Sequence, residues 1–246
     1  TGITGALVII VCDDPFMFSS QSEEDTRTIA RSAYVPILDP SSPSEAKEMI
    51  REAFAISERF GTPVMLRPTT RISHTRGVVE LGNIPDKNSK KIIWDSEKNW
   101  SEQFVLVPAI SRINRLKMIK RTEKIREFNE DVVFNRIIDE GSKVGILTSG
   151  VSYNYVIEAL NILNKRISVL KIGTPFPLPE RKIGNFLRKI EKLIVIEEGE
   201  PYLEWNVRAL AQKLRPALKI YGKDNGSFPL PYAYDVPFVI KGLCNI

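Results

Sequence analysis

Two stretches of the chain, residues 6–82 and 144–222, alternate short apolar runs with segments of helical periodicity, and this limits the fold more than any other feature. In the first, ALVIIVC (6–12), VPIL (35–38) and PVMLR (63–67) read as strands, and Ser22–Ala33 and Ser44–Phe60 read as helices. Ser22 is the expected N-cap, with Asp25 close to capping-box spacing. Ala46, Met49, Ile50, Ala53, Phe54 and Ile56 recur near a period of 3.6, and Gly61 supplies the stop. In the second, VGILTSG (144–150), ISVLKIG (167–173), KLIVIEEG (192–199) and ALKIYG (217–222) read as strands. Helices are expected over Tyr153–Asn164, within Pro179–Ile190 and over Tyr202–Leu214. Apolar runs with little internal alternation mark strands covered on both faces, which predicts parallel sheets flanked by helices. The expected fold class is therefore α/β, with two parallel-sheet domains.

The stretch between the blocks breaks the pattern. Residues 83–108 are polar at Asp86-Lys-Asn-Ser-Lys-Lys, with Trp94, Trp100 and Phe104 at no regular spacing, and read as a linker. Residues 109–139 read as mostly helical, with Ile110, Ile113, Leu116 and Ile119 on one side. The last stretch, Gly226–Ile246, holds Pro229, Pro231 and Pro237 and reads as an extended tail. A chain that starts at Thr1 with a strand-like run at residue 6 reads as a piece of something longer.

Composition narrows the class. Apolar residues make up 43% and charged residues 26%, enough to build a core rather than remain disordered. The longest apolar runs fall far short of the roughly 20 residues that a bilayer requires, so no membrane partner is expected. Net charge is +5. The excess gathers at Arg112, Arg115, Lys117, Lys120, Arg121, Lys124 and Arg126, without interleaved aromatics to stack bases, which reads as a solvated helix face and not a nucleic-acid surface. Cys12 and Cys244 carry no metal spacing, which points to a reducing, cytoplasmic setting. No metal site is expected, and an iron–sulfur cluster held by this chain alone is excluded, because four thiolates are usually required.

In parallel sheets, ligands gather beyond the carboxyl ends of the strands. That rule selects Asp13-Asp14-Pro15, Thr69–Arg71, Thr148–Ser152, Gly173–Phe176 and Glu197–Glu200. After the first strand, two carboxylates are followed by Ser19, Ser20 and Gln21. They read either as a polar pocket wall or as the organisers of a turn. Pro68-Thr-Thr-Arg-Ile-Ser-His-Thr-Arg-Gly holds the only histidine, His74, a residue able to move protons near neutrality. Arg71 or Arg76 could fork onto a carboxylate. Thr148-Ser-Gly-Val-Ser-Tyr-Asn-Tyr is a small-residue turn, but its spacing fits neither a dinucleotide fingerprint nor a P-loop. Glu197-Glu198-Gly-Glu suggests either a charged partner or acids at a helix N-terminus.

These segments together resemble a known family. Asp13-Asp14-Pro…Ser19-Ser20-Gln21-Ser-Glu23-x-Asp25, Pro63-Val-x-Leu-Arg67-x-Thr-Thr-Arg-Ile-Ser-His-Thr-Arg-Gly-Val-Val79, Ser149-Gly-x-Ser-Tyr-Asn-Tyr155, Val169-Leu-Lys-Ile-Gly173…Pro177-Leu-Pro179 and Val195-Ile-Glu-Glu198 follow, in order, the alpha subunit of indolepyruvate ferredoxin oxidoreductase. The resemblance implies a thiamine-diphosphate-dependent enzyme that oxidatively decarboxylates aryl pyruvates to aryl acetyl-CoA and passes electrons to ferredoxin. It implies that residues 1–82 are the C-terminal half of a pyrimidine-binding domain, 83–135 a linker with a helix, 136–222 a transketolase C-terminal-like domain, and 223–246 a tail. It implies thiamine diphosphate, Mg2+ and [4Fe-4S] clusters in the intact enzyme, none of them bound by this chain alone, and no catalytic residue within it. The implied partners are the remainder of the alpha subunit, a beta subunit, ferredoxin and coenzyme A, within an oligomer. Ser19, Ser20, Gln21 and Asp25 are expected to border the substrate and cofactor pocket. Asp13, Asp14, Arg71, His74, Ser149, Ser152 and Tyr153 are expected behind it or at the contact between domains. A non-catalytic module that bridges subunits is the other reading.

Overall fold

The computed structural model describes residues 2–18, 20–83, 105–229 and 233–246. The expected linker with Trp94, Trp100 and Phe104 lies almost wholly outside the described residues, as does Ser19. The first layer is a three-stranded parallel sheet of β1 (Val8–Ile10), β2 (Ile37–Leu38) and β3 (Val64–Leu66), in the order β1-β3-β2. Helix α1 (Arg27–Ala33) leads into β2, and helix α2 (Pro43–Phe60) connects β2 to β3. Helix α2 forms because its ends are well specified. The Ser42 hydroxyl accepts from the Glu45 N–H at 3.1 Å, Pro43 opens the first turn, and Gly61 closes the helix at φ +60°. Its buried Met49, Ala53 and Ile56 pack on Leu38, Val64 and Leu66.

Two expectations in this layer are corrected. The apolar run 6–12 is not covered on both faces: among the described residues β1 pairs with β3 alone, and Leu7, Ile9 and Ile10 are 37–56% exposed. An edge strand lacks the neighbour that would bury these side chains. Helix α1 also starts later than Ser22. The Thr26 N–H is taken by the Asp13 carboxylate at 2.9 Å and the Arg27 N–H by Asp25 at 3.2 Å, so the chain before them stays a loop and Thr26 is the N-cap.

Helix α3 (Thr70–Ser73) follows β3, and helix α4 (Pro108–Asn129) leads to the second layer. That layer is a five-stranded sheet of β4 (Arg136–Ile138), β5 (Val144–Ser149), β6 (Ser168–Ile172), β7 (Lys192–Ile196) and β8 (Lys219–Tyr221), in the order β4-β6-β5-β7-β8. Only β4 is antiparallel. Residues 109–139 are therefore not helical throughout. Asn135 takes over the backbone groups there: its amide donates to the Asn129 carbonyl at 2.8 Å, and its Oδ1 accepts from the Gly173 and Thr174 N–H groups. The chain turns at this point into an edge strand.

Helices α6 (Glu180–Lys189) and α7 (Tyr202–Leu214) cover one face of this sheet, burying Ile183, Phe186, Leu187, Leu203 and Val207 against Leu147, Leu170 and Val195. Helix α5 (Ser152–Ile162) covers the other together with helix α8 (Val236–Cys244). The reading of residues 223–246 as an extended tail is thus corrected. Asp235 caps α8 through the Phe238 N–H at 2.8 Å, and Pro237 sits in the first turn, where proline starts a helix rather than breaking it. Val239 of α8, with Phe228 and Tyr234, packs on Ile146 and Ile194. The edge strand β2 of the first layer meets the loop that follows β6 of the second. The Ile37 N–H donates to the Phe176 carbonyl at 2.8 Å, and the Asp39 N–H donates to the Gly173 carbonyl at 2.9 Å.

Candidate functional site

The strand ends converge on one buried junction. Asp13, just past β1, bridges to Thr69, just past β3. Arg67, also just past β3, ion-pairs with Asp13 and reaches Asp39 at 3.5 Å and Asp25 at 3.6 Å. Arg27, at the start of α1, crosses to the second layer. It binds Asp25 at 2.5 Å and Glu197 at 2.6 Å, and donates to the Glu198 and Glu200 carbonyls at 2.9 Å each. Glu197 also accepts from the Leu203 and Glu204 N–H groups at the start of α7. Both readings of the 197–200 acids are therefore realised in Glu197, which has a cationic partner and occupies a helix N-terminus. A third crossing joins Lys171 of β6 to Glu45 and to the Ser41 hydroxyl at 2.7 Å.

Close approach depends on glycine at Gly199, where a Cβ would lie 2.8 Å from Asp25 Oδ2 at φ +68°, and at Gly150. Gly150 holds φ +52°, and a Cβ there would lie 2.9 Å from Asp39 Oδ1. Ser149 next to it is buried at the end of β5. The Asn154 amide donates to the Ser41 carbonyl at 2.6 Å. Tyr153 places its ring 4.9 Å from Lys171 Nζ, and Ser152 is buried at the start of α5.

Burial and charge act against each other here. Burial pushes the Asp25 carboxyl up, but the Arg27 and Arg67 guanidiniums outweigh it and hold Asp25 well below the usual range. Glu198 makes no ion pair among the described residues, and the Arg67 and Arg71 charges only partly offset its burial. Burial pushes it up to about 7, against the hydrogen bond it accepts from the Tyr234 N–H. Asp39 is likewise raised, chiefly by burial, and Lys223 falls to about 8 for the same reason. Arg67 Nη2, Asp13 Oδ1 and Asp39 Oδ1 are buried without a hydrogen-bond partner among the described residues.

The remaining sequence-selected residues lie around this junction. Asp14 organises the loop after β1, accepting from the Phe18 N–H at 3.0 Å and from the Ser20 N–H at 3.1 Å. The Ser20 hydroxyl bonds Asp14 and the Ser22 carbonyl, while Gln21 is exposed. Arg71 and His74 are exposed on and just after α3, where they line a cavity of about 380 Å³ with Phe18, Thr70 and Thr75. Sequence reasoning missed Arg27, Asp39, Glu45 and Lys171 as junction residues and quoted Arg67 without a role. Asp39 was within reach of the strand-end rule, applied to VPIL. Lys171 was visible as a lone cation inside an apolar strand.

Among the described residues, no group of three or more His, Cys, Asp or Glu side chains could hold a metal ion. Cys12 and Cys244 are both free and exposed. The junction carboxylates Asp13, Asp25 and Glu197 are turned onto guanidinium groups, so these donors do not suit magnesium or an iron–sulfur cluster. No described helix is long and apolar enough to cross a membrane.

Residues 135–241 match the family model described as Indolepyruvate oxidoreductase domain. The chain is 40% identical over 244 residues to Indolepyruvate oxidoreductase subunit IorA of Archaeoglobus fulgidus, covering 99% of this chain and 38% of that one. It is 45% identical over 227 residues to the IorA subunit of Thermococcus kodakarensis, covering 91% of this chain and 35% of that one. The chain thus spans about two fifths of the length of these curated relatives. Among solved structures, a 2-oxoglutarate:ferredoxin oxidoreductase from Magnetococcus marinus aligns with a TM-score of 0.55 at 13% identity, over 85% of this chain and 42% of that one. A split-gene transketolase aligns with a TM-score of 0.53 at 10% identity, over 97% and 65%. These two likenesses are of fold, that of 2-oxoacid oxidoreductase and transketolase domains. With identities of 37–45% along nearly its whole length, the chain belongs to the family of indolepyruvate oxidoreductase IorA subunits.

Proposed function

We propose that the chain is part of an oxidoreductase that oxidatively decarboxylates aryl pyruvates, indolepyruvate foremost, in the cytoplasm. An aryl pyruvate and coenzyme A give the aryl acetyl-CoA and carbon dioxide, releasing a proton and an electron pair that ferredoxin accepts. The observation that carries the reading is the unbroken likeness to IorA subunits over 91–100% of the chain. In this reading, residues 1–82 belong to a pyrimidine-binding domain and 136–222 form a transketolase C-terminal-like domain. The rest of the alpha subunit, a beta subunit, thiamine diphosphate, Mg2+ and [4Fe-4S] clusters complete an oligomeric enzyme. Bound thiamine diphosphate supplies the carbanion chemistry; the protein supplies position and charge.

What this chain contributes is a rigid seam between two layers. Arg27 and Arg67 neutralise the strand-end carboxylates, Arg27 ties the first layer to the second through Glu197, and Ser20 and Gln21 stand at the rim where substrate enters. Asp25 serves the rim from behind, by fixing Arg27. Ser149, Ser152 and Tyr153 line the second layer's side of the seam, with Tyr153 beside the Lys171 that crosses to Glu45. Titration calorimetry with thiamine diphosphate and Mg2+ tests this division: binding is expected to the complete subunit complex, and tight binding to residues 1–246 alone would overturn it. A second reading, a module that only bridges subunits, draws on the commitment of the junction carboxylates to ion pairs. Gln21→Ala in the complete complex separates the two: lowered turnover supports the catalytic reading, and unchanged kinetics the bridging one.

A further inference from the structure

The loop after β1 presents its aromatic residues outward. Phe16 and Phe18 are 40% and 46% exposed and lie edge to face, with ring centroids 5.4 Å apart. Met17 between them sits at φ +55°, a left-handed conformation that costs roughly 1–2 kcal/mol in a residue with a side chain. The loop is held there by Asp14, which accepts from the Phe18 and Ser20 backbones.

Helix α3 supplies the other wall. Ile72 anchors it in the core, and the Thr70 hydroxyl donates to the Asp13 carbonyl at 3.2 Å. Arg71, His74 and Thr75 follow at spacings of three and four, which puts them on one side. The Arg71 guanidinium stacks 4.9 Å over the Phe18 ring. Among the described residues, no carboxylate lies within ion-pair distance of Arg71, although Arg27 and Arg67 each engage two or more. The cavity of about 380 Å³ falls at the small end of ligand-pocket sizes. It opens beside the junction. Burial raises Tyr155 and Glu198 of the second layer, and Arg71 is among the charges that oppose both shifts.

We infer that Arg71, with Phe18, Thr70 and His74, forms a subsite for an aryl carboxylate, in which the guanidinium forks onto the carboxylate and the Phe16–Phe18 pair flanks the arene. An arginine stacked on a ring keeps its N–H edge free for a bidentate acceptor. A bare oxyanion would make no use of the Phe18 ring on which Arg71 is stacked. The identification of this aryl carboxylate with the 2-oxoacid rests on the function proposed above, and the subsite itself does not.

The test uses the complete subunit complex and indole-3-acetate, which has an arene and a carboxylate but no keto group and so cannot turn over. Calorimetry is expected to show binding that weakens at least tenfold in Arg71→Gln and recovers in part in Arg71→Lys. Phe18→Ala should weaken indole-3-acetate while leaving acetate binding as weak as before. Arg76→Gln, outside the cavity, should bind as the unaltered complex does. Unchanged binding in both Arg71→Gln and Phe18→Ala would overturn the inference, as would acetate or inorganic phosphate binding as tightly as indole-3-acetate. Should Arg71-dependent binding occur without turnover of any aryl pyruvate, the subsite stands and the proposed reaction falls. Should indolepyruvate turn over while neither variant changes binding, the reaction stands and the subsite falls.

Discussion

Arg27 and Glu197 lie 170 positions apart in sequence and meet at 2.6 Å, each side chain 1% exposed. One belongs to the first layer and the other to the second, so this pair is the bolt between them. Arg27 also stacks over the Tyr202 ring at 5.3 Å, which fixes the guanidinium plane. Replacing Arg27 by Ala strands two buried carboxylates, Asp25 and Glu197. Removing one partner of a buried pair costs about 3–5 kcal/mol. Urea unfolding of Arg27→Ala is expected to show a loss of that order, with Arg27→Lys intermediate because a lysine cannot reproduce the forked geometry.

The Lys171–Glu45 crossing offers a cleaner dissection, because Glu45 keeps other partners. Its carboxylate accepts from the Ser41 N–H at 2.6 Å and the Ser41 hydroxyl at 2.7 Å, whether or not Lys171 is present. Burial lowers the Lys171 ammonium and the Glu45 charge resists it. Lys171→Met and Glu45→Gln are each expected to destabilise, and the double variant to lose less than their sum. A coupling of roughly 1–3 kcal/mol in a double-mutant cycle is the expected result.

Glu198 makes stability fall as pH rises. Its folded value of about 7 lies above its ordinary 4.5, so between these two the folded state binds more protons than the unfolded one. The penalty is absent below about pH 4.5 and complete above about pH 7, where it amounts to roughly 3 kcal/mol. Asp25 has the opposite sign. Held below its ordinary 3.8, it contributes stability above that value and loses it as pH falls. Glu198→Gln should therefore stabilise the protein at pH 8, leave it little changed near pH 4.5, and flatten the slope between. Thermal melts across that range check it.

Gly150→Ala tests how tightly the layers must close. The added Cβ would meet Asp39 at 2.9 Å in a backbone conformation that alanine disfavours. A loss of about 1–3 kcal/mol is expected. The equivalent change at Gly141, also at positive φ but with open space around its Cβ position, should cost only the backbone contribution, about 1 kcal/mol.

Much of the fold was legible because the strands and helices obey local rules. Tyr202–Leu214 is a helix over the residues its periodicity predicts, and the Ser42–Glu45 cap and Gly61 stop bound α2 within a residue of its expected start. Two of the misses share a cause: a distant side chain overrode the local signal. The start of α1 moved because Asp13 captures the Thr26 N–H, and β4 formed because Asn135 captures Gly173 and Thr174. Helix α8 was hidden by prolines that read as breakers until Asp235 was seen capping them. At the site, the carboxyl-end rule selected Asp13, Thr69, Ser149 and Glu197, all of which reach the junction. It could not select Arg27, since nothing in a helix's own sequence reveals a partner 170 residues away.

The proposed oxidation of aryl pyruvates depends on the seam held by Arg27 and Glu197. It is tested most directly by the reduction of ferredoxin by the complete subunit complex, supplied with indolepyruvate and coenzyme A. Reduction is expected to require both substrates, to favour indolepyruvate over 2-oxoglutarate, and to drop at least tenfold in Arg27→Gln. Reduction that is absent with every aryl pyruvate, or undiminished in Arg27→Gln, would contradict it.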